Sequence, residues 1–137
     1  MRRGEIRLVD LDPVLGYLHR DLEKLCENAD FHHTIAYMDP LEYVASLFCE
    51  WPAVMAYEKL LDVEVPRRAE YIRVLSGELN RIASHILALG FHALDLGGLT
   101  PILYAFIERD EIVDMLAALT GQRMLFNYFR IGGVNGD

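Results

Sequence analysis

The chain has 137 residues, 53% of them hydrophobic and 25% charged, with a formal net charge of −8. That balance suits one globular domain and excludes a disordered chain. The negative charge argues against nucleic acid as the main partner and against plain electrostatic binding to an anionic membrane surface, while a mean hydropathy of +0.15 hints that a partner covers some apolar surface.

The segment Met1–Leu11 is charged throughout, so it does not read as a signal peptide. Residues 5–9, EIRLV, read as one short strand without an obvious partner. Asp12-Pro13 then pairs a cap with a first-turn proline, and Val14, Leu15, Leu18, Leu22 and Leu25 recur at helical spacing. This predicts a first helix to about Asn28, whose start Gly16 can delay by a turn. DPLE, residues 39–42, predicts the start of a second helix: Asp39 as cap, Pro40 in the first position and Glu42 reaching back. Leu41, Val44, Ala45, Phe48, Met55, Ala56 and Leu60 carry that helix to about Leu61, with a kink or break expected at Trp51-Pro52.

Pro66 opens a third helix reaching about Asp95, with an inner stripe of Ala69, Ile72, Leu75, Leu79, Ile82, Ala83, Ile86, Gly90 and Ala93. Its stretch Ile82–Leu94 carries no formal charge, yet it is shorter than the roughly 20 apolar residues of a membrane span. Asp95, Gly97, Gly98 and Pro101 follow at once, so it reads as a helix buried on most sides. Gly97-Gly98 ends it, Thr100-Pro101 starts a fourth helix, and Gly121 stops that one. The tail MLFNYFRIGGVNGD reads as irregular. The expectation is an all-α bundle of about four helices in a single domain over 1–137, with one short N-terminal strand at most. The tail stopping just after Gly132-Gly133 suggests a fragment of a longer fold.

Cys26 and Cys49 make neither a disulfide framework nor a metal spacing, and read as buried thiols. His85 and His92 share a helix face but lie roughly 10 Å apart, too far for one metal ion. His32 and His33 are adjacent and point apart. Asp95 sits at a helix C-terminus among apolar neighbours, where dipole and desolvation both disfavour a carboxylate; His92, one turn earlier, is its candidate partner. Tyr43 reads as a core or interface aromatic. Arg67, Arg68, Arg73 and Arg81, among Glu70 and Glu78, read as a solvated face. Arg123 and Arg130, flanking an aromatic run, suit a docking surface. There is no nucleophile motif, phosphate loop, dinucleotide fingerprint or iron–sulfur cysteine set.

Four stretches in order carry a resemblance. GYLHRDLEK (16–24), VPRRAEYIRVLSGELNRIASH (65–85), the run from Ser84-His85 through Gly90 and Asp95 to Thr100-Pro101, and TGQRMLFNYFRIGGV (120–134) are its carriers. Together they resemble the D-type, quinone-site subunit of the proton-pumping NADH:quinone oxidoreductase, respiratory complex I. That family is related to the nickel–iron hydrogenase large subunit, which implies part of a hydrogenase-like helical fold. The hydrogenase cysteine pair falls on Glu42 and Ala45, neither of which supplies a thiolate, so no nickel–iron site is expected. The resemblance implies that Tyr43 hydrogen-bonds a quinone carbonyl and that Asp95 orients a proton donor. Electrons would come from an iron–sulfur cluster in a neighbouring subunit, and originally from NADH bound elsewhere in the complex. The chain itself would bind no cofactor besides quinone as substrate.

The family's N-terminal loop bearing a quinone-contacting histidine has no counterpart. Its arginine and histidine near the terminal cluster fall on Pro40 and Leu125, which implies a cluster of lower potential and a quinone such as menaquinone. The implied partners are the iron–sulfur quinone-site subunit, another peripheral-arm protein and a membrane subunit, with the chain peripheral on the cytoplasmic side of the cell membrane and inactive alone. A non-catalytic truncated module serving assembly, or a hydrogenase-like subunit without its metal, are the alternatives.

Overall fold

The longest element follows the clearest sequence signal. In the computed structural model, which describes residues 8–136, helix α4 runs Arg67–Asp95 with Pro66 just before it. Gly97 ends it at φ +93, where its N–H reaches Leu94 O at 2.8 Å and that of Gly98 reaches Ala93 O at 2.8 Å. A residue with a Cβ is strained at that φ, so glycine is the fitting stop signal. Helix α5, Leu99–Thr120, folds back along α4 and ends at Gly121, φ +81. Thr100 and Pro101 lie inside its first turn, one residue after its start at Leu99.

The shorter elements precede this hairpin: α1 (Leu22–Glu27), α2 (Phe31–Met38), a 3-10 turn over Asp39–Glu42, and α3 (Leu47–Leu61). After it come strands β1 (Phe129–Arg130) and β2 (Gly133–Val134), antiparallel with Phe129 opposite Val134. The architecture is all-α with this small hairpin added. Of the strand expected at 5–9, residues 5–7 lie outside the described residues, and Leu8 and Val9 have no regular structure.

Three element boundaries differ from expectation. The helix expected from Asp12-Pro13 begins only at Leu22, because Gly16 (φ +106) and Asp21 (φ +56) take left-handed conformations that no α-helix continues through. DPLE does not open α3. It forms a tight turn at the end of α2, a helix the periodicity did not predict. The Asp39 side chain turns inward instead of capping, because its Oδ2 accepts the distant Asn127 N–H at 2.8 Å. Finally, α3 runs unbroken through Pro52, giving up one backbone hydrogen bond.

The core gathers Ile35, Leu47, Val54 and Leu116 around Phe126, Tyr128 and Phe129. Phe129 is wholly buried and meets Trp51 edge-on at 5.7 Å. The tail expected to be irregular therefore supplies the centre of the fold, each buried aromatic contributing roughly 1.5–3 kcal/mol by area. The α3 stripe also moves: Leu47 and Val54 are buried, whereas Met55 and Leu60 are exposed, as is Leu41 in the preceding turn.

On α4 the buried stripe is Ala69, Arg73, Ser76, Asn80, Ala83 and Gly90. Leu75 and Ile82, expected inside, are exposed, as are His85, Leu89 and His92, so the helix is not buried on most sides. Gly90 lets α5 close in, since a Cβ there would lie 3.0 Å from the Ala105 Cβ and 3.3 Å from Ile102 Cγ1. Among the described residues no helix is long and apolar enough to cross a membrane.

Candidate functional site

Tyr43 closes the Asp39–Glu42 turn, 55% exposed and with its hydroxyl making no hydrogen bond among the described residues. The turn is anchored from within. Asp39, 1% exposed, holds Asn127 N–H through Oδ2, and Asn80 of α4 donates to Val44 O at 3.3 Å and accepts from Leu47 N–H at 3.3 Å. An exposed phenol thus stands on a fixed base.

Beneath it, α3 carries two buried acids. Glu50, 0% exposed, accepts the Tyr128 and Phe129 N–H groups on Oε2, both at 2.9 Å. Its carboxyl lies within hydrogen-bonding reach of Asp39. Burial, and then the neighbouring Asp39, push Glu50 up to about 9, while the two N–H groups pull the other way. Burial also raises Asp39, opposed by the bonds from Glu50 and Asn127 and by the Arg130 guanidinium. Burial, followed by the Glu42 carboxylate, raises the Cys49 thiol; Cys49 and Cys26 are half-buried and free, not fully buried as expected.

Two turns further along α3, Glu58 grips Arg73 through a bidentate ion pair, Nη1 to Oε2 at 3.0 Å and Nη2 to Oε1 at 2.6 Å. Arg73 also donates to Arg130 O and Gly133 O, both at 2.8 Å from Nη2, and Gly132 N–H donates to Glu58 at 2.8 Å. Arg73 was expected on a solvated face; at 2% exposed it is the most enclosed cation described. It is tolerated there because all three of its side-chain nitrogens donate to an oxygen. Likewise the aromatic run expected to dock a partner is core. Arg123 pairs with Asp110 and Asp114 of α5, and Arg130 donates to Asn127 Oδ1 and Phe129 O.

Asp95 ends α4, exposed and without an ion pair to His92. His92 instead directs Nδ1–H to Ala88 O at 2.8 Å. Asn80, which holds the main chain beside Tyr43, lies fifteen residues before Asp95, about 22 Å along the axis at ~1.5 Å per residue. The clearest surface hollows are lined by neither Tyr43 nor Asp95. None of these five hollows is lined by both residues.

For a metal, the only grouping among the described residues is His19, Asp21 and Glu23, exposed and within 4.8 Å of one another. His19 Nδ1 already accepts the Asp21 N–H at 3.3 Å. Glu42 Oε1, at one of the two positions where the resemblance led to the hydrogenase cysteines, accepts the Val44 N–H at 3.2 Å, and Ala45, at the other, has no ligand atom.

Sequence reasoning missed Asp39, Glu50, Glu58, Arg73 and Asn80 as functional candidates. A signal existed: Leu47, Glu50, Val54 and Glu58 follow 3-4-4 spacing, so both acids occupy the buried stripe of α3.

The four-motif resemblance is borne out by comparison with known proteins. The family model described as "Respiratory-chain NADH dehydrogenase, 49 Kd subunit" matches residues 95–137. The chain is 48% identical over 134 residues to the D-type subunit of the NADH-quinone oxidoreductase of Chlorobaculum parvum, covering 98% of this chain and 33% of that protein. It is 49% identical to the corresponding protein of Chlorobium luteolum, covering 98% and 34% respectively. Against that of Desulforamulus reducens it is 50% identical over 125 residues, covering 91% and 34%. The chain spans about a third of the length of these curated relatives.

Proposed function

We propose that this chain, whose sequence is of the D type of NADH-quinone oxidoreductase subunits, forms one wall of the quinone-reduction site of a proton-pumping NADH:quinone oxidoreductase. In this reading Tyr43 donates its phenolic hydrogen bond to a quinone carbonyl oxygen, where negative charge develops on reduction. Asp95 positions a proton donor for the same ring. An iron–sulfur cluster in a neighbouring subunit delivers the electrons, and NAD is used elsewhere in the complex. The implied neighbours are the iron–sulfur quinone-site subunit, another peripheral-arm protein and a membrane subunit, with the chain peripheral on the cytoplasmic side of the cell membrane and inactive alone.

The observation that carries this reading is the alignment of 98% of the chain with its curated relatives. The exposed Tyr43 side chain on an anchored turn supports it. The length of α4 between Asn80, which holds the main chain beside Tyr43, and Asp95 favours a second reading, a non-catalytic helical module serving assembly. The two readings part on one experiment. Tyr43→Phe in the complex purified from the native host should lower NADH-driven reduction of a short-chain quinone on the order of 10²-fold. Oxidation of NADH by an artificial acceptor should be unchanged. Undiminished quinone reduction would overturn the catalytic role of Tyr43, and recovery of the chain alone, without iron–sulfur or membrane subunits, would favour the assembly module.

A further inference from the structure

Two carboxyl groups meet in the core with no cation between them. Asp39 and Glu50 are 1% and 0% exposed. Each commits one oxygen to main-chain N–H donors: Asp39 Oδ2 to Asn127, Glu50 Oε2 to Tyr128 and Phe129. The other oxygen of each, Asp39 Oδ1 and Glu50 Oε1, has no donor among the described residues, although the two groups lie within hydrogen-bonding reach. Two buried anions in that arrangement would repel, and each would retain an acceptor stripped of water. A single proton between Oδ1 and Oε1 removes both penalties, because one carboxylic acid becomes the donor its neighbour needs.

We infer that Asp39 and Glu50 share one proton at neutral pH and so form a buried, proton-holding site beneath the Tyr43 turn. The groups facing the pair agree with this. From the hairpin, Arg130 is the cation acting on Asp39, enough to balance one negative charge and not two. From the turn and α3, Glu42 and Cys49 add no positive charge, and the Cys49 thiol is itself held protonated by burial. From α4, Arg73 is consumed by Glu58. Ser46, one turn before Glu50, contributes an uncharged, fully buried hydroxyl with no hydrogen-bond partner among the described residues. The elevation of Glu50 points the same way.

The pair joins three segments: the turn ending at Tyr43, helix α3, and residues 127–129. Removing the shared proton places two anions in one enclosed space, so at least one of these segments must move apart. That the motion would reach a quinone ligand rests on the function proposed above; the shared proton does not.

Infrared spectroscopy of the full chain tests the site directly. At pH 7 the wild-type chain should show a carboxylic-acid C=O band that shifts only slowly in D2O. The band should bleach as pH rises past about 9. Glu50→Gln and Asp39→Asn each place an amide N–H where the proton was, so both should fold and both should lose the band. Absence of the band in wild-type chain at pH 7 overturns the inference, as does its persistence in both variants. Circular dichroism identifies a variant that fails to fold; the remaining variant and the wild-type titration then decide. Tyr43→Phe should retain the band while altering only quinone reduction, so failure of one proposal leaves the other standing.

Discussion

Replacing Arg73 with Met is the sharpest probe of what holds the hairpin against the helices. The side chain keeps its aliphatic volume but loses every donor. Glu58, 7% exposed, would keep only the Gly132 N–H, and the carbonyls of Arg130 and Gly133 would lose their bonds to the guanidinium. Stranding one member of a buried ion pair costs about 3–5 kcal/mol. That is a large share of the roughly 5–15 kcal/mol that a whole domain holds. In urea unfolding followed by circular dichroism, with a slope of about 1–3 kcal/mol per M, the midpoint should fall by at least about 1 M. Adding Glu58→Gln should recover part of the loss, because a neutral amide still accepts from Gly132 without a stranded charge. The double-mutant cycle should therefore give a coupling on the order of 1–3 kcal/mol. A loss under about 1 kcal/mol for Arg73→Met, or strict additivity in the cycle, would refute the claim that this pair pins the tail.

The remaining expectations concern pH, packing and one hydroxyl pair. Glu50 is raised from 4.5 to about 9, so the folded chain keeps a proton that the unfolded chain releases between those values. Stability is then full below 4.5 and declines as pH rises toward about 9, by at most ~1.4 kcal/mol per unit, with Asp39 adding in the same direction. Urea midpoints that stay flat or climb from pH 5 to 9 would contradict this, and Glu50→Gln should flatten the decline. Gly90→Val must push α5 away, since even a Cβ would sit 3.0 Å from that of Ala105; a loss of about 1–3 kcal/mol in thermal or urea unfolding is expected. Thr34→Val removes the 2.6 Å bond between Thr34 Oγ1 and the Tyr57 hydroxyl and should cost about 1–2 kcal/mol by the same assay.

Much of the long-range plan is legible in the sequence because punctuation is local. Pro66, Gly97 and Gly121 set the limits of α4 and α5 through their own backbone preferences, and reading them needs no knowledge of neighbours. Burial is different. The apolar residues Ile72, Leu75, Leu79 and Ile82 suggest one face of α4, yet the inward face lies one residue along, at Arg73, Ser76, Asn80 and Ala83. Those polar side chains are tolerated inside only because distant partners reach them, such as Gly133 O for Arg73 and Val44 O for Asn80. A single helix cannot display that compensation. Asp39 misled for the same reason: a local cap and a remote N–H compete for one carboxylate, and the remote one wins. Tyr43 stands out through resemblance alone, whereas Asp95 is visible from its place at a helix C-terminus with His92 one turn earlier, although His92 turns to Ala88 O instead. Both are exposed.

The centre of this fold is supplied late. Phe126, Tyr128 and Phe129 fill the space between α2, α3 and α5, and the carboxylates of Asp39, Glu50 and Glu58 await main-chain groups between 127 and 132. While the polypeptide is being translated, the helices can form as soon as they emerge, but their apolar interior and three acids stay open to solvent. That condition lasts until residue 132 has cleared the ribosome exit tunnel. Such non-local closure slows folding and leaves an aggregation-prone intermediate for chaperones to shield.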